Sequence, residues 1–231
     1  KSKYKEALKY IDNALKLMQK SKHQVKLSAA NINYLILKAK IEAGDNNIKQ
    51  ALTILKSILN KDPYNLKALL FIANIYIYEN NLKTAVFYLN IAKMQNPKNI
   101  GPYYMLSKIY SVLNKKQNAE KNLASIISID PYFKKAYFRL AALYILDRKI
   151  KKAVSIFDKY LKINPYSKTA LYQSAILEYA QKRYPQARKR FLDFIDISSE
   201  SKNNFRLINN AYFFIGISYI LENKYKKGLT F

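Results

Sequence analysis

The sequence predicts an all-α fold, a solenoid of stacked antiparallel helix pairs. The main observation is a spacing of 34 residues that several columns share. One column holds prolines preceded by Asp or Asn, at Pro63, Pro97, Pro131 and Pro165. Two further columns hold small residues, at Ala39, Ala73, Ser107, Ala141 and Ala175 and at Ala51, Ala85, Ala119, Ala153 and Ala187. Columns that keep one phase are typical of a repeat array in which each unit packs on its neighbours.

Each unit is predicted to contain two helices, as residues 137–165 illustrate. One apolar stripe runs from Tyr137 to Tyr144 in steps of three and four residues, and a second runs from Ala153 to Leu161. Polar residues 147–149 separate the stripes, and Pro165 separates the unit from the next, because proline disfavours helical geometry in the residue before it. We expect the small columns to lie where paired helices cross, since larger side chains would hold the backbones apart.

These positions resemble the pattern of the tetratricopeptide repeat family, which runs Trp, two residues, Leu-Gly, two residues, Tyr, then Ala, three residues, Phe, then Pro. One unit matches it with Tyr137, Leu140-Ala141, Tyr144, Ala153, Phe157 and Pro165. Leu or Tyr replaces the Trp, and Glu42 and Glu178 stand where the Tyr is expected. The resemblance implies a right-handed superhelix whose first helices line a concave groove and whose second helices form the convex back.

The chain is predicted to be one repeat array over residues 1–231. Five units occupy residues 32–65, 66–99, 100–133, 134–167 and 168–201. Residues 1–20 match the second helix of a unit without its first, and residues 209–231 match a partial unit, so we expect both ends to be cut. Two slips of phase predict a lengthened helix or loop near residues 19–28 and a polar loop at residues 198–204.

The formal net charge of +26 predicts attraction to anionic partners. Lys far outnumbers Arg, and Asn, Ile and Tyr are abundant, so we attribute much of this charge to an AT-rich genome, bacterial or parasitic. The surface should still attract acidic peptides, phosphates or membrane headgroups, with strong dependence on salt. The absence of Cys fits a cytoplasmic and a periplasmic location equally well. We expect the true N-terminus, with any signal or lipid attachment, to lie outside this sequence.

The family resemblance places an aromatic stripe with interspersed cations along the groove. Such a stripe suits a protein or peptide partner with apolar anchors and carboxylates. The candidate groove residues are Lys67, Phe71, Asn74, Tyr78, Tyr104, Lys108, Lys135, Phe138, Arg139 and Tyr172. The alternative is that these aromatic rings pack between adjacent repeats.

A sharper hypothesis is an acidic-peptide subsite at Asn74, Lys135 and Arg139. Some tetratricopeptide domains hold C-terminal carboxylates with two Lys, two Asn and an Arg, and these three residues match that clamp. Leu70 and Met105 depart from it, where a Lys and an Asn are expected. Lys135 and Arg139 lie four residues apart on one helical face, and Arg can donate two parallel hydrogen bonds to a carboxylate. The alternative is a set of solvated helix charges.

The sequence does not predict an enzyme, a cofactor or a metal site. His23, the only histidine, is interpreted as a solvated loop residue, and cysteine is absent, so the sequence predicts neither a Ser-His-Asp nor a Cys/His arrangement. Four scattered glycines do not make a phosphate loop. Asp193, Asp196 and Glu200 could share a helical face, which we interpret as solvated.

We therefore expect a scaffold or adaptor that binds protein or peptide partners in the groove and has no small-molecule substrate. One alternative is an RNA-binding helical-repeat protein, although the groove column Asn33, Lys67, Gly101, Lys135 and Thr169 shows no repeating code for bases. Another is a periplasmic or membrane-associated assembly factor whose basic charge holds it near anionic lipid.

Overall fold

The computed structural model describes residues 2–20, 29–198, 205–228 and 230, and every regular element in these ranges is an α-helix. In chain order the helices are α1 (Ser2–Lys20), α2 (Ala29–Gly44), α3 (Ile48–Lys61), α4 (Leu66–Tyr78), α5 (Leu82–Gln95), α6 (Ile100–Val112), α7 (Lys116–Ile129), α8 (Lys134–Leu146), α9 (Ile150–Ile163), α10 (Lys168–Ala180), α11 (Tyr184–Asp196), α12 (Phe205–Leu221) and α13 (Tyr225–Gly228). The predicted all-α class of paired helices is confirmed.

The chain forms two compact units, Lys1–Asn114 and Lys115–Phe231. In the first unit α2 packs on α3 and α4 on α5, and contacts from α3 to α4 and from α5 to α6 join successive pairs. In the second, α8 packs on α9 and α10 on α11, while α7 contacts α8 and α12 contacts α11. The single array over residues 1–231 and its repeat boundaries stay a prediction. Residues 21–28 and 199–204 of the two phase slips, with His23 and Glu200, lie outside the described residues.

The Asp-Pro and Asn-Pro dipeptides end four of the second helices, as predicted. Helices α3, α5, α7 and α9 have as their C-caps the residues that precede the four prolines, Asp62, Asn96, Asp130 and Asn164. The next first helix then begins within a few residues. Asn65 caps α4 by accepting a hydrogen bond from the backbone N of Ala68 at 3.1 Å, and Ser167 caps α10 by accepting from that of Ala170 at 3.4 Å. These caps satisfy backbone donors that the helices leave without partners.

The two columns of small residues are fully buried in every predicted repeat. Ala141 on α8 and Ala153 on α9, for example, have no accessible surface. The same close packing recurs between α12 and α13, where a Cβ added to Gly228 would lie 3.0 Å from the carbonyl oxygen of Gly216. Small side chains therefore let the paired helices approach closely, as the sequence predicted.

The buried residues at the Tyr position of the repeat pattern form hydrogen bonds or ion pairs with neighbouring side chains. The Tyr144 hydroxyl donates to the Glu120 carboxylate, and burial, reinforced by that bond, raises the pKa of Tyr144 to about 12. Glu42 accepts a hydrogen bond from Asn47 Nδ2 at 3.0 Å. Glu178 forms an ion pair with Arg183, with 3.2 Å between Oε2 and the guanidinium. The two Glu substitutions at this position are thus each provided with a polar partner.

The turn between the two helices of a pair holds one residue in the left-handed region at the same 34-residue spacing. These residues are Asn46, Asn80, Asn114, Arg148 and Lys182, with φ between 55° and 68°. Asn tolerates this conformation because its short side chain can hydrogen-bond locally, whereas Arg and Lys do not have that compensation. Arg148 and Lys182 therefore carry backbone strain that the three Asn positions largely avoid.

Replacing Arg148 by Gly should raise the free energy of unfolding by about 0.5–1 kcal/mol, because Gly enters the left-handed region without a steric penalty. Urea denaturation followed by circular dichroism measures the change. The Arg148→Ala variant is the control, since Ala removes the long side chain but keeps the strain. An equal gain from Ala and Gly would show that the side chain, not the backbone conformation, is unfavourable.

Candidate functional site

The first unit presents the predicted groove stripe on α4. Lys67, Phe71, Asn74 and Tyr78 follow one another at steps of three and four residues, so they share one face of the helix. The opposite face is buried in the core. Phe71 is half-buried and packs against that core, whereas Asn74 and Tyr78 are exposed. The face therefore combines an apolar base with polar and aromatic groups at its surface.

Two clefts meet at Asn74. The first has a volume of about 300 Å³ and is lined by Ala43, Gly44, Asn46, Ile48, Phe71, Asn74, Ile75 and Tyr78. The second has a volume of about 170 Å³ and is lined by Asn74, Ile77, Leu82, Met105, Lys108, Ile109 and Val112. Both belong entirely to the first unit. The Asn74 amide thus lies between two mainly apolar clefts.

Helix ends and turns shape these clefts. The first lies where the turn between α2 and α3 approaches α4. Gly44 in its lining packs closely against the ring of Tyr4 on α1, since a Cβ added to Gly44 would lie 3.1 Å from that ring. The second lies between α4, the start of α5, and α6. Each cleft is therefore bounded by residues of neighbouring helix pairs, and packing between pairs determines its shape.

The predicted residues of the first unit have different roles. Phe71, Asn74 and Tyr78 line the first cleft, and Asn74 and Lys108 line the second. Lys67 donates a hydrogen bond from Nζ to Asn33 Oδ1 at 2.9 Å, which ties α4 to the equivalent position of α2. Tyr104 is half-buried and does not line either of these two clefts.

The predicted aromatic residues of the second unit pack largely into its helix pairs. Phe138 meets Phe157 edge-on at 5.3 Å between ring centroids, and the Lys134 ammonium lies 5.1 Å from the Phe138 centroid. Tyr172 packs against Phe194 in the same way at 5.1 Å. Both residues are half-buried, so their rings contribute to the packing between helices, and their exposure in a groove stays a prediction.

The two predicted cations of the second unit lie on one face of α8. Lys135 is exposed and Arg139 is half-buried one turn later. Asn74, the third member of the hypothesised acidic-peptide subsite, belongs to the first unit. The subsite as a whole stays a prediction.

Sequence reasoning missed the turn residues of the first cleft and Val112 of the second. A signal for Val112 exists, because Tyr78, Val112 and Leu146 end successive first helices at 34-residue spacing. All three are strongly exposed. An exposed apolar residue that recurs at the end of first helices indicates a surface that the intra-pair core does not use.

Within residues 2–20, 29–198, 205–228 and 230, no group of three or more His, Asp or Glu side chains is placed to hold a metal ion. Among the helices in these ranges, none has both the length and the hydropathy needed to cross a membrane.

Two family models match the chain. Residues 1–91 match the ARM repeat of tetratricopeptide repeat protein 21, and residues 100–133 and 134–167 each match a tetratricopeptide repeat. No curated protein sequence matches the chain significantly.

Many solved structures share the fold. The chain is similar to MamA, with 19% identity and a TM-score of 0.60 over 74% of this chain and 94% of that one. It is similar to a tetratricopeptide repeat protein from Parabacteroides merdae, with 22% identity and a TM-score of 0.59 over 86% and 76% of the two chains. It is also similar to YrrB, described as a TPR protein with an unusual peptide-binding site, with 18% identity and a TM-score of 0.55 over 80% and 92%. Repeat spacing, paired helices and family models agree that the chain belongs to the tetratricopeptide repeat family.

Proposed function

We propose that this protein is an interaction scaffold whose first unit binds an extended peptide across the two clefts that meet at Asn74. The observation that carries the proposal is this pair of clefts on the predicted groove face. Drug-sized ligands usually occupy pockets of about 300–1,000 Å³. Clefts of about 300 and 170 Å³ that share one residue suit two neighbouring side chains of a peptide better than one small molecule.

Asn74 supplies what an extended peptide backbone needs between its anchored side chains. Its amide offers both a donor and an acceptor, which match the C=O and N–H groups of a peptide. Apolar residues such as Phe71, Ile75 and Ile109 form the cleft walls. We infer a ligand with two apolar side chains, one on each side of a backbone segment that bonds to Asn74.

Lys108 and the charge of the chain favour an acidic ligand. Lys108 is exposed at the second cleft, where its ammonium can meet a carboxylate. The net charge of +26 adds a long-range attraction for such a peptide. The peptide-binding site named in the description of YrrB agrees with this use of the fold, as an analogy at the level of the fold.

The test is binding of peptides selected from a random display library on the immobilised protein. We expect the selected peptides to carry two apolar residues and an acidic one. Asn74→Ala should weaken their binding roughly 5- to 10-fold, the loss of one or two hydrogen bonds, and Lys108→Glu roughly tenfold at low salt. Fluorescence anisotropy of a labelled selected peptide measures both changes.

Asn60→Ala and Lys56→Glu are matched controls, because both residues are exposed on α3 and line neither cleft. Their affinity should equal that of the parent. Equal losses in the control and cleft variants would mean that general charge, not the clefts, attracts the peptide. In the second unit we propose Lys135 and Arg139 as a separate contact for acidic peptides, which the Lys135→Ala/Arg139→Glu variant tests with an acidic peptide that does not depend on Asn74.

A further inference from the structure

One edge of the second unit carries three exposed aromatic side chains. Tyr132, between α7 and α8, is 78% exposed, Tyr166, between α9 and α10, is 77% exposed, and Phe205, at the start of α12, is 70% exposed. Helices α7, α9 and α11 each precede an antiparallel neighbour, so their C-terminal ends lie at the same edge of the stack. We call these three residues the aromatic edge.

The turns present the two tyrosine rings on a fixed backbone. Asp130 Oδ1 accepts a hydrogen bond from the Tyr132 backbone N at 3.0 Å, and the Asp130 carbonyl accepts from that of Phe133 at 3.1 Å. In the next turn, the Asn164 carbonyl accepts from the Ser167 backbone N at 3.2 Å. Only the side-chain torsions of Tyr132 and Tyr166 remain to be ordered on binding, which keeps the entropic cost low.

Lysines lie close in sequence to the two tyrosines. Lys134 and Lys135 follow Tyr132, and Lys162 and Lys168 flank Tyr166. The nearby Asp130 carboxylate is bonded to the Tyr132 backbone. Around Phe205 the charges are mixed along the sequence, because Asp193 and Asp196 lie in the last turn of α11 and Arg206 follows Phe205 in α12. The positive charge of the aromatic edge is therefore concentrated around its two tyrosines.

We propose that the aromatic edge docks on an anionic lipid surface. Tyrosine suits this position because its apolar ring and polar hydroxyl match the level of the lipid headgroups. Lysines beside such rings are attracted to anionic headgroups. The proposal is independent of the peptide clefts, which lie in the other unit.

The spacing of the rings favours a lipid surface over single-stranded nucleic acid. Two packed helices separate Tyr132 from Tyr166, and packed helix axes are usually about 8–10 Å apart, so the two turns lie at least about that far apart. Aromatic platforms for single strands stack successive bases, which needs rings much closer together. A lipid surface requires only that the rings reach one plane.

The absence of tryptophan from the sequence allows a site-specific probe. Tyr132→Trp and Tyr166→Trp each place a single Trp on the aromatic edge. Leu146→Trp is the control, because Leu146 is also strongly exposed but ends α8, about 20 Å along the helix from the edge. Vesicles of phosphatidylglycerol mixed with phosphatidylcholine, and of phosphatidylcholine alone, are added to each protein.

We expect the Trp emission of the two edge variants to shift to the blue with the anionic vesicles and not with phosphatidylcholine alone. Leu146→Trp should show no shift. In the Tyr132→Trp protein, Lys134→Glu/Lys162→Glu should reduce vesicle binding roughly 20-fold or more, at about fivefold for each basic residue lost near the surface. Lys151→Glu/Lys226→Glu removes the same charge at the opposite edge and should leave most of the binding.

Three results would overturn the proposal. The first is no binding of the parent protein to the anionic vesicles. The second is an equal shift at Leu146→Trp, or an equal loss from the two charge variants, because general attraction would then explain the binding. The third concerns polyuridylate, a single-stranded RNA. If changing Tyr132 and Tyr166 to Ala abolishes binding to polyuridylate but leaves binding to the vesicles intact, the edge binds nucleic acid instead. Circular dichroism of each variant verifies that its helices remain folded.

Discussion

Replacing Phe191 by Ala is expected to lower the free energy of unfolding by about 3–5 kcal/mol, the usual cost of removing a large aromatic ring from a core. Phe191 on α11 has no accessible surface. Its ring stacks on Phe214 of α12 with 5.5 Å between centroids and meets Tyr172 of α10 edge-on at 5.8 Å. One side chain therefore joins three successive helices, and the cavity left by Ala would loosen both the pair α10–α11 and its contact with α12.

Urea denaturation of the parent and the variant, followed by circular dichroism, measures this loss. Leu192→Ala is the control, because Leu192 is the next residue on α11 and is exposed. We expect Leu192→Ala to change the free energy of unfolding by no more than about 0.5 kcal/mol, as most surface substitutions do. A cost for Phe191→Ala no greater than that of Leu192→Ala would contradict the role of this ring in joining the helices.

The fold could be predicted from the sequence because its determinants are local and repeat. The proline at position 131 ends α7 because of its own backbone geometry, and Ala141 is small because two helices must cross there. Such constraints recur in every unit, so one spacing reveals them all. The left-handed turn position was harder to recognise, because Arg148 and Lys182 replace the Asn that marks it in earlier units.

The candidate site could be predicted only in part. The helical periodicity of α4 identified Phe71, Asn74 and Tyr78, since it determines which residues share a face. It could not show that residues 43–48 complete the first cleft, because that depends on how a turn of one pair approaches the next. Phe138 and Tyr172 occupy similar stripes, yet neighbouring rings such as Phe157 and Phe194 hold them in the packing.

The polar network around Glu178 illustrates what periodicity cannot predict. Glu178 stands at a Tyr position of the repeat and is only 2% exposed. Its partners come from the turn after α10 and from α11, so no spacing along one helix relates them to it. A buried carboxylate needs such partners, because burying an unpaired charge is costly. The sequence shows the substitution, and the structure shows the residues that make it tolerable.

Arg190→Ala should lower the free energy of unfolding by about 3 kcal/mol, because it leaves a buried carboxylate without one of its cations. Arg190 donates from Nη1 to Ser174 Oγ at 2.9 Å and from Nη2 to Asp158 Oδ1 at 2.6 Å. Nη2 also lies 3.7 Å from Glu178 Oε1. The guanidinium thus connects α11 to both α9 and α10. Arg190→Lys should also be destabilising, because one ammonium cannot reproduce this forked geometry.

A second substitution separates the charge of Arg190 from its packing. In the Arg190→Ala background, Glu178→Gln should recover about 1–2 kcal/mol, since a neutral amide costs less to bury than a carboxylate whose remaining cation is Arg183. Lys189→Ala, an exposed neighbour on α11, is the control and should be nearly neutral. If the two substitutions simply add, Arg190 stabilises the unit through its other contacts, among them Ser174 and Asp158, and not through Glu178. Coupling between them would show instead that the array tolerates Glu at a tyrosine position because Arg190 compensates its charge.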